Sequence, residues 1–467
     1  MKFLMTEGYD RTGRGAPRSA KVAAFYGIRY AALLGGRRFS PPVPVQGEEQ
    51  ADVERLTDVP VFPSRGSGLE DVLGRADTIN PQSEDAFFLN VWAPDGADGL
   101  PVVVFLHGGA WTSGGGSVQW YNGRHLAAGG LVVVTLNYRL GPVAHLAPPA
   151  VGGRPTPSRP VQDILTALAW VQDNISKCGG NPGRVTLAGQ SAGGWYAHLL
   201  SVLPEARSLF ERLALWSMGT RTPRSTAVQA RIHSAANQRL SPFDVESAPF
   251  RELLDAGERA LKSALPPAAF GHAAAGYVPH ETDNVPRDLL DPTSAAKLCS
   301  AEAVYARYTA EETGTFFHNV PTLRHADSRR VQEWLESLPA GSLRNHVIGD
   351  PLWGQKSPYE RILAVSSWIQ YKSVPTSLVN EYKTVGIPAM IDEFAYRGAV
   401  EGQLSGHCLD LPFQFGTFDE WADAPMMRNC DVDTFDELSA HLIGGFTDFA
   451  SSPLPKSNPV GRLITAT

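Results

Sequence analysis

The sequence predicts an α/β protein with a large, mostly parallel central sheet, helices on both of its faces and helical insertions. Three observations predict it. From Phe87 onward short apolar runs alternate with amphipathic segments, the order that lays helices over a parallel sheet. Residues 131–138 (LVVVTLNY) are apolar almost throughout, as a strand buried on both faces must be. Residues 185–200 (VTLAGQSAGGWYAHLL) run from an apolar stretch through Gly189-Gln190-Ser191-Ala192-Gly193 directly into helix-compatible residues.

The elements follow in order. The first 60 residues are rich in Pro and Gly and hold short β-like runs such as KVAAFYGIRYA, interrupted by loops such as SPPVPV. Residues 88–92 and 102–106 read as strands, and 131–138 as the buried one. Residues 147–160 (APPAVGGRPTPSRP) carry too much Pro and Gly for a regular element. Residues 163–175 place Ile164, Leu168, Val171 and Ile175 at helical spacing, with Asp163 suited to the start. A short strand over 184–189 feeds the serine turn. The stretch from about 220 to 300 leans to helix and is punctuated by Pro, as an insertion or cap would be. Residues 301–309 (AEAVYARYT) read as a strand, and 387–396 (IPAMIDEFAY) as the last clear one.

Bulk properties bound the function. The chain has 467 residues, 43% hydrophobic and 19% charged, enough for a large core and far from the composition of disorder. A net charge of −7 favours neither nucleic acid nor an anionic membrane surface. No apolar run is long enough to span a bilayer, and the N-terminus lacks the apolar core of a secretory leader. The four cysteines, Cys178, Cys299, Cys408 and Cys430, form no CxxC pair, so neither a zinc site nor a disulfide framework is expected and a cytoplasmic location is.

The serine motif carries the chemistry. A GxSxG between strand and helix has the form of a nucleophile elbow, in which glycines permit a tight turn and the serine is held strained with its Oγ above the sheet. Such a serine needs an oxyanion hole. The run 102–106 ends in His107-Gly108-Gly109-Ala110-Trp111, a loop able to aim backbone N–H groups at a carbonyl oxygen. The expected donors are Gly109, Ala110 and Ala192. The general base must be a histidine, which changes charge near neutral pH. Of twelve histidines, His407 follows the last clear strand by about ten residues, where the Ser, acid, His chain order puts it. His107 suits a structural role better.

HGGAW and GQSAG together, with SEDAFFLNVWAP, VVVTLNYRLG and GHCLDLPFQFG, make the chain resemble the type-B carboxylesterases, the α/β hydrolases that include the cholinesterases. The resemblance is strong over residues 20–220 and 380–420 and thin over 220–380. It implies one α/β-hydrolase domain spanning 1–467, with 220–380 cap-like and poorly matched. It implies a serine carboxylic-ester hydrolase acting on small-molecule esters, with no metal and no cofactor. For the acid, Glu312 matches the family's turn after a strand, with Glu311 as the alternative and Asp392 and Glu393 next. Trp111, Trp195 and Phe413 are candidates for a pocket wall or for core packing. The family usually has glutamate beside the nucleophile, where this chain has Gln190. Asp410 matches the second acidic residue of the family's buried network. The site is therefore expected to hold one carboxylate outside the triad and to prefer neutral over cationic esters. Ala86 stands where many secreted members have cysteine. The Pro-rich loop replaces the family's segment after NYRLG, and the residues after GGFTDFA lack its usual ending. Two other uses of the same scaffold stay open: acyl transfer or cyclisation with another acceptor, and a non-catalytic binding protein.

Overall fold

The structure, a computed structural model, describes residues 1–12, 17–151, 154–274, 276–339, 341–453 and 461–465. Ten strands form its main sheet. In chain order they are β1 (Leu4–Asp10), β2 (Arg18–Arg29), β3 (Phe88–Pro94), β4 (Leu100–Leu106), β5 (Val132–Leu136), β6 (Gly180–Gln190), β7 (Arg212–Trp216), β8 (Ala303–Thr309), β9 (Ala389–Phe394) and β10 (Leu463–Ile464). Their spatial order is β1-β2-β3-β5-β4-β6-β7-β8-β9-β10. The first three and the β3–β5 pair run antiparallel, and every pairing from β5 onward is parallel. Every residue of β5 is buried. Its Val-rich run packs on both faces, which is why it shows no polar alternation.

Helices α1 (Arg159–Asn174) and α2 (Ala192–Val202) pack against this sheet. So do α6 (Ser373–Thr384) and α7 (Val432–Ser451). Between them in sequence come α3 (Thr226–Leu240), α4 (Phe250–Ala264) and α5 (Pro358–Ser367). Helix α1 buries Val161, Ile164, Leu168 and Val171, one stripe at helical spacing. Asp163 does not start it. The helix begins four residues earlier with Pro160 in its first turn, and Asp163 is buried inside it, 2.5 Å from the Arg139 guanidinium. Helix α2 is buried on every side, so no polar face marks it in sequence.

Two other expectations change. Residues 147–160 are not all loop: Ala150–Val151 pairs with Arg154–Pro155, though Gly152 and Gly153 lie outside the described residues. The last strand is β10, not β9; two residues long, it is held through Glu393 and Phe394. Most buried side chains form one core on the sheet. A second, smaller cluster gathers Phe317, Leu323, Trp334, Ile362, Leu363 and Trp368 from within the poorly matched stretch.

Candidate active site

The site is built where β4, β6, β8 and β9 end. Strand β6 stops at Gln190, α2 starts at Ala192, and Ser191 between them sits at φ 56°, ψ −120°. Positive φ is strained for a residue with a Cβ. Neighbouring elements hold it there: the Ser191 N–H donates to the Trp216 carbonyl at the end of β7 (2.9 Å), and the Ser191 carbonyl accepts from the Trp195 N–H (3.0 Å). A side chain at Gly189 would run into the Gly193 backbone, and one at Gly193 into the carbonyls of Leu106 and His107. That close approach of strand, turn and helix is why the serine stands between glycines.

The loop after β4 turns sharply, with Ala110 at φ 52° and Trp111 at φ 61°. The N–H groups of Thr112 and Ser113 close back on the Gly109 carbonyl (2.9 and 3.0 Å). The N–H groups of Gly109, Ala110 and Ala192 enter none of the hydrogen bonds among the described residues. Gly109 and Ala110 line the cavity that Ser191 opens onto, while Ala192 is buried behind it as the first residue of α2. His107 is buried outside the cavity wall, stacked on Tyr138 with ring centroids 4.3 Å apart. Burial lowers its pKa to about 4.

His407 reaches the cavity from the loop after β9. Its Nδ1 lies 2.5 Å from Glu312 Oε2. Glu312 is fully buried, and its other oxygen accepts the Thr309 N–H at 2.9 Å. The backbone locks the pair: the His407 N–H donates to the Glu312 carbonyl at 3.0 Å, and the Thr315 hydroxyl donates to the His407 carbonyl at 2.8 Å. Glu311 points elsewhere and accepts the Ser405 N–H at 3.1 Å. Asp392 bonds Arg462 and Tyr305, and Glu393 bonds Lys372.

The other imidazole nitrogen, Nε2, is 3.2 Å from Gln190 Nε2, which also reaches Cys408 Sγ at 3.3 Å. An amide N–H donating there requires His407 to present a lone pair at Nε2 and its proton at Nδ1, toward Glu312. Ser191 Oγ has no hydrogen-bond partner among the described residues; contacts of this kind commonly tighten only with substrate bound. Burial opposes the charged form of His407, but Cys408, Tyr371 and the Glu312 carboxylate outweigh it. The imidazole is raised well above its ordinary value.

The cavity has a volume of about 890 Å³ and is lined by Ser191, His407, Gln190 and Trp111 among others. Three residues expected in its wall do not reach it. Trp195 stands behind Trp111, edge-on at 5.7 Å, with its indole N–H bonded to the Arg221 carbonyl. Phe413 packs into the core against Phe394 and Phe435. Asp410 is fully buried, and its Oδ2 takes two hydrogen bonds from the Arg307 guanidinium at 2.7 and 2.9 Å. An ion pair thus absorbs the charge expected beside the site. Sequence reading missed Tyr121, Arg221, Phe316 and Tyr371, all in the wall. Tyr371 packs against the His407 ring at 4.8 Å. Only Phe316 had a signal, four residues after Glu312.

Among the described residues no group of three or more His, Cys, Asp or Glu is placed to hold a metal. No helix among them is long and apolar enough to cross a membrane.

Residues 8–242 match the sequence model of the carboxylesterase family. The chain is 31% identical to a probable N-octanoylanthranilate hydrolase of Rhodococcus erythropolis over 410 residues, 87% of this chain and 84% of that one. It is 40% identical to the para-nitrobenzyl esterase of Bacillus subtilis over 219 residues, which span 46% of this chain and 43% of the esterase. Among solved structures, a thermophilic PNB esterase superposes with a TM-score of 0.73 at 26% identity, over 99% of this chain and 96% of that one.

Proposed function

The chain belongs to the carboxylesterase family and is a carboxylic-ester hydrolase, and from that premise we propose that Ser191 is its nucleophile, His407 its general base and acid, and Glu312 the partner of the imidazole. The observation that carries this reading is the buried 2.5 Å contact between Glu312 and His407 Nδ1, made at the cavity onto which the strained Ser191 turn opens. With Nδ1–H committed to Glu312, Nε2 is free to take the Ser191 proton once it leaves the Gln190 amide. The serine oxygen then attacks the ester carbonyl. Negative charge develops on the carbonyl oxygen, and the Gly109, Ala110 and Ala192 N–H groups stabilise it. His407 returns the proton to the leaving alcohol, water enters, and the same steps reversed release the acid. Every step is performed by side-chain and backbone groups of this chain, so no metal or cofactor enters.

Small-molecule esters are the substrates in this reading, and the acceptor is water, in keeping with relatives named as hydrolase and esterase. The neutral Gln190 in the wall and the paired Asp410 behind it favour neutral over cationic esters. The whole chain acts as one hydrolase domain. Its four unpaired cysteines suit a reducing cytoplasm.

The test is active-site labelling. A fluorophosphonate should modify Ser191 alone, read by mass spectrometry of the peptide, and Ser191→Ala should lose ester hydrolysis by several orders of magnitude with its circular dichroism unchanged. Label on another serine, or near wild-type turnover in the variant, removes the assignment.

A further inference from the structure

Among the described residues, the cavity wall carries one cation that no carboxylate answers. Arg221 follows β7 and lines the cavity beside Gln370 and Tyr371. Its Nη2 donates to the Ala273 carbonyl (2.5 Å) and to Gln370 Oε1 (3.2 Å). Nε and Nη1 make no hydrogen bond among the described residues, and neither is a buried unpartnered atom, so both stay accessible on a residue that lines the cavity. The other charged groups in the wall are engaged elsewhere. Glu258 is paired with Lys262 at 2.6 Å and faces Arg65. Arg65 is itself paired with Asp255. Asp77 accepts the Ser67 N–H at 2.6 Å, and burial raises its pKa toward the neutral form. His272, close to Arg221, is lowered by burial and by that guanidinium, and stays neutral.

A second arginine in the same segment also has no acidic partner among the described residues. Arg224, three residues on, is buried, donates to the Gly276 carbonyl at 2.8 Å and leaves Nη1 without a partner. The groups facing it are His145, His280 and Tyr277, none of them an acid. Burial lowers its pKa to about 10, so it stays charged at neutral pH. Buried charges are normally paired; the buried Arg224 rests on a carbonyl oxygen, and the half-buried Arg221 on two.

We infer that Arg221 is a specificity residue that holds a carboxylate on the substrate. The physiological ester is therefore anionic, bearing a free carboxylate besides the ester to be cleaved. The inference rests on the reading of Ser191 and His407 as the reacting pair. Tyr371 links the two features: it follows Gln370, which accepts from Arg221, and it packs against the His407 ring. Charge-assisted hydrogen bonds from Nε and Nη1 would fix that carboxylate while the ester carbonyl lies over Ser191.

The carboxylate sits on either the acyl or the alcohol portion, and matched esters separate these. p-Nitrophenyl hemisuccinate is compared with p-nitrophenyl butyrate, and 4-acetoxybenzoate with its methyl ester. The readout is the anionic-to-neutral ratio of kcat/KM within one enzyme, so a general loss of activity cancels. Wild type should favour the anionic member of one pair, and added salt should erode the preference. Arg221→Gln should cut that ratio at least tenfold through KM, and Arg221→Lys should restore part of it. A ratio unmoved by Arg221→Gln, or wild type favouring the neutral member of both pairs, overturns the inference. Should Arg221→Gln fail to fold, competitive inhibition of wild type by glutarate and benzoate, but not by their amides, decides instead; equal inhibition by acid and amide overturns it. Failure of the Ser191 reading is distinct: hydrolysis of the neutral esters would then survive Ser191→Ala.

Discussion

Glu311 and Glu312 are adjacent carboxylates in different surroundings. Glu312 holds the His407 imidazole, whereas Glu311 receives a backbone N–H from Ser405 and is raised by burial. Glu312→Gln should therefore lower kcat by roughly 10³- to 10⁴-fold, and Glu311→Gln should have a small effect; steady-state kinetics on one p-nitrophenyl ester decides. The pH profile gives an independent reading. His407 must be neutral to accept the serine proton, and its pKa is raised. The rate constant kcat/KM should rise with pH through an acid limb whose midpoint lies above the ordinary histidine value. Glu312→Gln removes an anion that favours the imidazolium, so the residual activity should show that limb at lower pH. Gln190 provides a third test. A carboxylate in its place would lie a few ångströms from a bound cation, worth on the order of a few kcal/mol at an effective dielectric near 20. Wild type should hydrolyse a choline ester less well than its 3,3-dimethylbutyl isostere, and Gln190→Glu should shift the ratio toward choline by at least about tenfold. An unchanged ratio would exclude charge at position 190 from specificity. The turn at Ser191 and the meeting of His407 with Glu312 were expected from short runs of sequence that carry the family resemblance. Asp410 was misjudged because its partner Arg307 lies 103 residues away, a pairing that no local pattern encodes.

Helix α1 shows what an element conceals from its own sequence. Its apolar stripe marked the helix, and its polar residue misled. Asp163 suits a helix start by residue type, yet the three-dimensional demand on it is greater: it bonds the Arg139 guanidinium and backbone N–H inside the core. Through the same guanidinium it ties α1 to the carbonyls of Arg38 and Ser40. Removing one partner of a buried pair leaves the other charge unanswered, at a cost of about 3–5 kcal/mol. Asp163→Asn should lower the urea midpoint accordingly at unchanged m-value, whereas a replacement at a true cap costs about 1 kcal/mol. Strands were easier to read where burial on both faces suppresses alternation, as in β5. They were harder where two residues suffice, as in β10, because a pairing that short leaves no periodic signal.

At the scale of the whole molecule, the parallel half of the sheet and the chain order of its loops were legible, since each strand and crossover declares itself locally. The cavity wall was not. Arg221, Tyr371 and the residues around 270 come from the stretch where the family pattern fades, and only tertiary packing brings them to the site. The cysteines give a test at this scale. All four are unpaired, three of them buried, and burial pushes the Cys178 thiol up to about 11. The thermal midpoint should be the same with and without dithiothreitol, and a thiol count after denaturation should return four; a lower count would reveal a disulfide. Ser191, Glu312 and His407 follow strand ends, whereas wall residues such as His272, Tyr277, Gln370 and Tyr371 come from segments between the strands. Exchanging residues 265–300 with a relative's should change the wall at 268–277 while Ser191, Glu312 and His407 stay in place, so ester hydrolysis should persist with an altered substrate range.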